Sequence, residues 1–257
     1  MNVDAVIEAL RHDHRACAWP GETVDARPHV TRHGILNGEV NFVTAHALSP
    51  ESADAVIAEE LAHYAARGKS FEWKLFSFDE PKDLRQRLES AGFEIGAPEA
   101  VMIYDLRDGL EPFSDPICDV RRIDKEENLR DFRLGSEEAF GKDFAPTTDA
   151  LAEAIRSGDE GNTAFVAYLD GQPASVGRLY TSPISLFAGL YGGGTRPPFR
   201  GRGTYRAVVA ARALAAHRSG ARYLMVDAKP TSEPILERLG FTRVATTWPC
   251  DSPEATL

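Results

Sequence analysis

Apolar positions first recur at helical spacing. Val3, Ile7 and Leu10 form one stripe along residues 2–16, which predicts an amphipathic helix. HVTRHGIL and EVNFVTAHAL then flank Asn37-Gly38, a strong two-residue turn signal, and predict a hairpin over 29–48. Ser49-Pro50 supplies the cap and first-turn proline of a helix expected to run through Ala66 and close at Gly68. SFEWKLFSF predicts a strand, Pro81 to Ala91 a helix stopped by Gly92, and EAVMIYDL another strand. Residues 107–116, RDGLEPFSDP, are polar and turn-rich, the best linker in the chain.

Beyond it, ICDVRRI predicts a strand, Asp124 to Phe140 a helix capped by Asp124, and Thr148 to Ser157 a further helix. TAFVAYL and PASVGRLY flank Asp170-Gly171 as a second hairpin. SLFAGLYGGGT is a strand running into RPPFRGRG, and Tyr205 to Ser219 a helix ended by Gly220. RYLMVDA, SEPILERL and FTRVATTW complete the alternation as strand, helix and strand. The order predicts an α/β (α+β) fold with a mixed sheet. LESAGF (88–93) and LERLGF (236–241) each end a short proline-started helix between two strands, a faint internal repeat.

At 257 residues the chain holds one large domain or two modest ones, about 1.7 by length. The two halves read as a smaller domain over 1–115 and a second over 116–257. Charged residues are 26% and apolar types 43%, which excludes disorder, collagen and coiled coil for the whole chain. A net charge of −10 argues against general nucleic-acid or anionic-membrane binding. No apolar run approaches the ~18 residues of a membrane span, and no signal-peptide core is present, so a cytoplasmic location is expected. Cys17, Cys118 and Cys250 are scattered without a CxxC pair, so reduced thiols are expected and a zinc site is not.

The net charge hides a local reversal. Residues 171–226 contain no Asp, Glu or Lys but eight arginines: Arg178, Arg196, Arg200, Arg202, Arg206, Arg212, Arg218 and Arg222. A basic island in an acidic background fits an anionic ligand of limited size. Salt bridges to acidic elements elsewhere are the competing use of any one arginine.

Chemistry concentrates in GGGTRPPFRGRGTYRAVVAARAL, where a strand enters a glycine- and arginine-rich turn that opens a helix. The first amides of a helix lack internal acceptors and lie at the positive end of its dipole. Gly201 and Gly203 let the backbone approach a bulky anion, and Arg200, Arg202 and Arg206 add charge. GxxxxGK[ST] is absent, which excludes a Walker loop. The third glycine of GxGxxG is missing too, and no acidic residue follows at the required distance, so a dinucleotide site is not expected.

This segment resembles motif A of the GNAT acyltransferase superfamily, [RQ]-x-x-G-x-[GA], with Arg200, Gly203 and Tyr205 at its three positions. Tyr205 departs from the small residue expected. YLMV followed by PILERLGF is similar to the family's motif B. The resemblance implies a mostly antiparallel GNAT-like sheet flanked by helices, preceded by a degenerate half-GNAT-like domain. It implies acetyl-CoA or another acyl-CoA as co-substrate, with no metal. Its pyrophosphate would meet the backbone of Gly201, Arg202, Gly203, Thr204, Tyr205 and Arg206, assisted by Arg196 and Arg200. The pantetheine arm would lie between the SLFAGLYGGGT and RYLMVDA strands, pairing near Gly193, Gly194 and Thr195; a bulge is the alternative use of the glycines.

Transfer to an amine needs a deprotonated nucleophile and a leaving thiolate. The family's usual motif-B tyrosine is Leu236 here, so that acid does not carry over. Tyr191, Tyr180 and Tyr205 are candidate substitutes by location, and Glu137, Glu138 and Asp227 candidate bases; Asp227, Glu138 and Tyr191 are the catalytic set expected. No GxSxG elbow or recognisable nucleophilic cysteine occurs, so direct ternary-complex transfer to a small-molecule or protein amine is expected. A weakly active or inactive acyl-CoA sensor of the same descent is the alternative. Gly203→Asp is expected to abolish CoA affinity without disturbing the fold.

Overall fold

The computed structural model describes residues 1–17, 22–35, 41–115 and 117–254. The predicted Asn37-Gly38 turn lies outside them. Two units are distinguished: an arginine-rich unit spanning 103–226 and 234–242, and an amino-terminal unit formed by 2–102, 227–233 and the chain from 243 onward.

In the amino-terminal unit, helix α1 (Val3–Ala16) starts at Asn2, whose side chain accepts the Ala5 amide at 3.2 Å. Its buried stripe is Val6, Leu10 and Asp13 rather than the predicted Val3 and Ile7, a rotation of one residue around the helix. His12 is exposed, whereas His14 is half-buried and stacks on Phe76 at 5.3 Å, so only one of the two histidines sits on the surface. The strands are β1 (Glu22–Ala26), β2 (Val30–Ile35), β3 (Phe42–Ala45), β4 (Glu72–Phe76), β5 (Glu94–Ile95) and most of β12 (Thr242–Asp251). They pair in the order β1-β2-β3-β4-β12, with β5 on β12; only β3 and β4 run parallel. β1 escapes the pattern because it is a short edge strand with no buried residue. Helix α2 (Ala53–Ala65) begins three residues beyond the predicted proline start, after a turn in which Ser49 and Ser52 exchange hydroxyl bonds. Helix α3 is Leu84–Ser90. Trp73, Val43, Leu84 and Leu88 form the centre of this core.

In the arginine-rich unit, β7 (Asp119–Ile123), β8 (Asn162–Leu169), β9 (Gln172–Tyr180), β10 (Phe187–Thr195) and β11 (Tyr223–Ala228) lie in sequence order. All these pairings are antiparallel except β10 with β11. Strand β6 (Glu99–Asp105) carries the chain from one unit into the other. Asp170 and Gly171 both take positive φ, 52° and 74°, as the predicted tight hairpin requires. The helix expected from Asp124 is a 3-10 turn (Glu126–Asn128) followed by α4 (Leu129–Phe140). Asn128, not Asp124, stands at the start of α4, because β7 runs on to Ile123 and the turn takes up the reversal. Helices α5 (Ala145–Ser157), α6 (Thr204–Arg218) and α7 (Glu233–Arg238) complete the set.

The segment read as a linker is anchored instead. Two 3-10 turns, Leu106–Asp108 and Glu111–Phe113, fold it down, and Phe113 is fully buried between Tyr104 and Phe241. Its polar composition concealed one large aromatic. The internal repeat is also real in local geometry. Leu88 and Leu236 are both fully buried, Gly92 and Gly240 take φ of 91° and 88°, and the amides of Phe93 and Phe241 donate back to those leucine carbonyls.

Helix α4 packs tightly on β9, since a Cβ on buried Gly135 would come within 2.4 Å of Val176 Cγ1. Gly135→Ala gains about 1 kcal/mol of helix propensity but meets an overpacking cost of about 1–3 kcal/mol. Urea titration is expected to show net destabilisation, relieved when Val176→Ala is added. A single substitution that stabilises the protein would contradict this packing.

Candidate functional site

The site is assembled by a strand, a turn and a helix within one unit. β10 ends at Thr195, Pro197–Phe199 forms a 3-10 turn, and Gly201 and Gly203 adopt φ of 72° and 78° before α6 begins. Gly203 occupies the cap position, so no side chain caps the helix. The first intrahelical bond comes from the Ala207 amide to Gly203 O at 3.2 Å, which leaves the amides of Thr204, Tyr205 and Arg206 without helical acceptors. Thr204 is buried, and its hydroxyl joins Ser175 Oγ at 2.7 Å, which in turn meets Thr195 Oγ1 at 2.7 Å. This hydroxyl chain pins the start of α6 to β9 and β10. Nothing in the period of the sequence singled out Ser175.

The parallel pairing of β10 with β11 covers Phe187, Ala188 and Gly189 only, opposite Tyr223, Leu224 and Met225. From Leu190 onward β10 continues against β9 alone, with a register shift between Tyr191 and Gly194. The glycines therefore do form a bulge. Their missing side chains are used by the protein itself: a Cβ on Gly193 would lie 2.9 Å from the Tyr205 ring, and one on Gly194 2.8 Å from Ala139 and Phe140. The face of the strand at these positions is occupied, and the freed side of β10 is its backbone edge. By contrast, a Cβ on Gly201 meets nothing within 4 Å.

The arginines divide by use. Arg196 is largely buried, grips Glu138 through two bonds of 2.8 and 3.0 Å, and gives a third to Pro173 O at 2.7 Å. Arg202 reaches Asp170 at 3.0 Å and Arg222 reaches Asp105 at 3.5 Å. Exposed Arg200 touches Thr195 O, and exposed Arg206 makes no ion pair among the described residues. Arg212 is fully buried and donates to the carbonyls of Val208, Arg178 and Tyr191. Burial lowers its pKa to about 10, against an opposing contribution from Tyr205. Gly177 makes room for this guanidinium, since a Cβ there would lie 2.7 Å from its Cζ.

Of the three expected catalytic residues, Glu138 is committed to Arg196, and that hydrogen-bonded pairing holds its carboxyl below the usual range. Asp227, on β11, accepts a short bond from Lys74 within the amino-terminal unit. Glu137 is likewise bonded, to Arg133 at 2.7 Å. Tyr191 stands two residues beyond the last β10–β11 pair and leans over Gly189, with Tyr180 at 5.0 Å. Leu236, at the position of the motif-B tyrosine, is fully buried. All three cysteines are unbridged; burial pushes the Cys17 and Cys250 thiols up to about 12 and raises Cys118 too. The described residues hold no cluster of three metal-ligating side chains and no helix long and apolar enough to cross a membrane.

A strand thus leaves its parallel neighbour partway, then turns through glycines and arginines into a helix with no side-chain cap. The acetyltransferase (GNAT) domain profile matches residues 122–248, so this part of the chain is a GNAT domain. A GCN5-related N-acetyltransferase from Kribbella flavida superposes with a TM-score of 0.69 at 15% identity, covering 98% of this chain and 94% of that one. A tandem GNAT protein from the clavulanic acid biosynthesis pathway gives 0.58 at 15% identity, covering 100% and 89%. A GCN5-related N-acetyltransferase from Sphaerobacter thermophilus gives 0.56 at 14% identity, covering 91% and 82%. No curated protein sequence matches the chain. The fold is thus a mixed, mostly antiparallel α/β arrangement of GNAT type, and the tandem relative supports a two-part organisation.

Proposed function

We propose that this protein is an N-acyltransferase that moves an acetyl group from acetyl-CoA to an amine, directly within a ternary complex in the cytoplasm. The observation that carries the reading is the uncapped start of α6 behind Gly201 and Gly203, with Arg200 and Arg206 exposed beside it. Free amides at the positive end of a helix dipole suit a diphosphate. The occupied faces at Gly193 and Gly194 favour a pantetheine arm that pairs with the backbone edge of β10 where β11 has left it.

In the reaction the amine nitrogen attacks the thioester carbon, the carbon–sulfur bond breaks, and CoA departs as thiolate. The thiol's ordinary pKa near ~8.5 makes that departure tolerable without strong acid help. Tyr191 is the phenol we assign to the thiolate side. The Arg196 pairing suits Glu138 to holding the turn rather than to taking protons, and the amine's proton passes to solvent. With Cys17 and Cys250 protonated until about pH 12, no acyl-cysteine step is invoked. Residues 1–115 we propose to act as a degenerate half-GNAT domain beside 116–257, without a phosphate cradle.

Calorimetry with acetyl-CoA, followed by free-thiol release across a panel of amines, tests the reading. Binding with amine-dependent thiol release is expected. Binding without release from any amine identifies a sensor instead, and absence of binding overturns both.

A further inference from the structure

We infer that Arg212 is a positioning residue for acyl transfer: its buried charge, held against the bulge of β10, stabilises the negative charge that forms on the thioester oxygen and then on the departing sulfur of CoA. This inference rests on the acyltransferase reading above. Arg212 is 1% exposed, and among the described residues it forms no ion pair. Its donors go to backbone carbonyls: Nε to Val208 one turn back at 3.2 Å, and Nη1 to Arg178 at 3.1 Å and Tyr191 at 3.4 Å. Tyr205, on the same helix, is the titratable group that acts on it, and burial is the larger influence. A guanidinium without a carboxylate is an expensive way to meet three carbonyls, since a neutral amide or a water would meet them without burying a charge. Two glycines make room for it: a Cβ on Gly177 would lie 2.7 Å from Cζ, and one on Gly193 3.3 Å from Nη2.

The charge lies where the strand is remodelled. Tyr191 pairs with Arg178 and Gly194 with Val176, so Gly192 and Gly193 stand opposite the single residue Gly177. Nη1 bonds the two carbonyls at the entry to this bulge, one on each strand. The Tyr191 carbonyl shares its peptide with the Gly192 amide, and a donor on the carbonyl polarises that peptide and strengthens its N–H. Beyond Gly189 β10 has already left β11, so this stretch of backbone is the edge offered to the pantetheine arm in the reading above. When the amine attacks, an electron pair of the thioester carbonyl moves onto its oxygen; when the carbon–sulfur bond breaks, the pair in that bond leaves on sulfur. Both states are anionic, and both form along an edge backed by a cation that water does not screen.

The test uses the full chain and CoA itself, whose free thiol titrates near ~8.5. S-methyl-CoA, which has no thiol proton, is the reference for every other group that titrates. Calorimetric Kd values for the two are compared from about pH 6 to about pH 9. A cation that favours the thiolate lowers the thiol's pKa on the protein, so CoA binding tightens as pH rises. A shift of about one unit makes CoA gain about fivefold or more over S-methyl-CoA across that range. Arg212→Gln, which keeps a neutral donor for the carbonyls, and Arg212→Met, which keeps neither charge nor donor, are both expected to abolish the gain. With any amine that is acetylated, Arg212→Gln should lower kcat about tenfold and leave KM for acetyl-CoA within about threefold. A wild-type ratio that does not change with pH overturns the inference whether or not the variants fold. A full gain in Arg212→Gln overturns it too, since the carbonyl bonds and not the charge would then be what Arg212 supplies. If neither CoA nor S-methyl-CoA binds, the acyltransferase reading itself fails, and the inference falls with it.

Discussion

Gly201→Asp is expected to weaken acetyl-CoA binding by about ten- to a hundredfold, while Gly201→Asn binds nearly as the wild type does. The two variants share a backbone cost. Gly201 has φ of 72°, where an Asp or Asn side chain loses roughly 1–2 kcal/mol, and its Cβ position is open to 4 Å. They differ only in charge. A carboxylate within the turn faces the same amides and dipole that would hold the diphosphate, and at about 4 Å like charges near a surface repel by several kcal/mol before screening. Calorimetry at low and moderate salt separates the terms, since the Asp penalty shrinks with ionic strength and the shared backbone penalty does not. Similar affinities for Asp and Asn variants would show that no phosphate approaches this corner. Gly203 is the poorer probe. Its φ is 78° and a Cβ there would sit 2.4 Å from Ile117 Cδ1, so Gly203→Asp must also displace the tip of that exposed side chain.

What the sequence makes legible is local. Asp170-Gly171 announces its turn because few residues accept two consecutive positive φ values, and Gly201 and Gly203 announce theirs because each takes a positive φ that glycine adopts freely. LESAGF and LERLGF encode the same helix stop because each pairs a buried leucine with a left-handed glycine. Partnerships across the chain are not legible in this way. Arg196 and Arg202 share the same short run, and both looked like phosphate ligands. Glu138 stands 58 residues before the first and Asp170 32 before the second, and only the fold brings each pair together. Phe113 illustrates the opposite failure, one buried ring inside a stretch whose average character is polar. Arg212 carries no signature at all: on an alanine-rich helix it reads as a solvated interruption, yet Gly177 on β9 vacates the space that buries it. The glycine turn is written in consecutive residues, and the ion pairs that take up its arginines only in the fold.

The amino-terminal unit should lose its pH balance when either Asp79 or His14 is removed. Burial raises the Asp79 carboxyl to about 7, although its oxygen accepts the Phe76 amide at 2.8 Å. A folded pKa above the ordinary 3.8 means the native state holds the extra proton; the stabilisation is complete below about 3.8 and disappears as pH rises through about 7. His14, stacked on Phe76, is shifted the other way, well below 6.5, first by burial and then by the charges of His33 and Lys74. Its contribution is complete above 6.5 and is lost as pH falls. As pH falls below 6.5 the native state therefore holds an extra proton at Asp79 while His14 resists taking one up, and the two slopes oppose each other. Asp79→Asn leaves His14 alone, so stability should drop on acidification below 6.5 by up to about 1.4 kcal/mol per pH unit relative to wild type. His14→Phe leaves Asp79 alone and should instead lose stability from about pH 4 to 7 at a similar slope. Trp73 and Trp248 both lie in this unit, so urea unfolding followed by tryptophan fluorescence reads the effect directly. Parallel stability curves for wild type and Asp79→Asn across that window would mean that Asp79 is ionised in the folded protein, its charge answered by the Phe76 amide and the nearby Arg11 and Lys82.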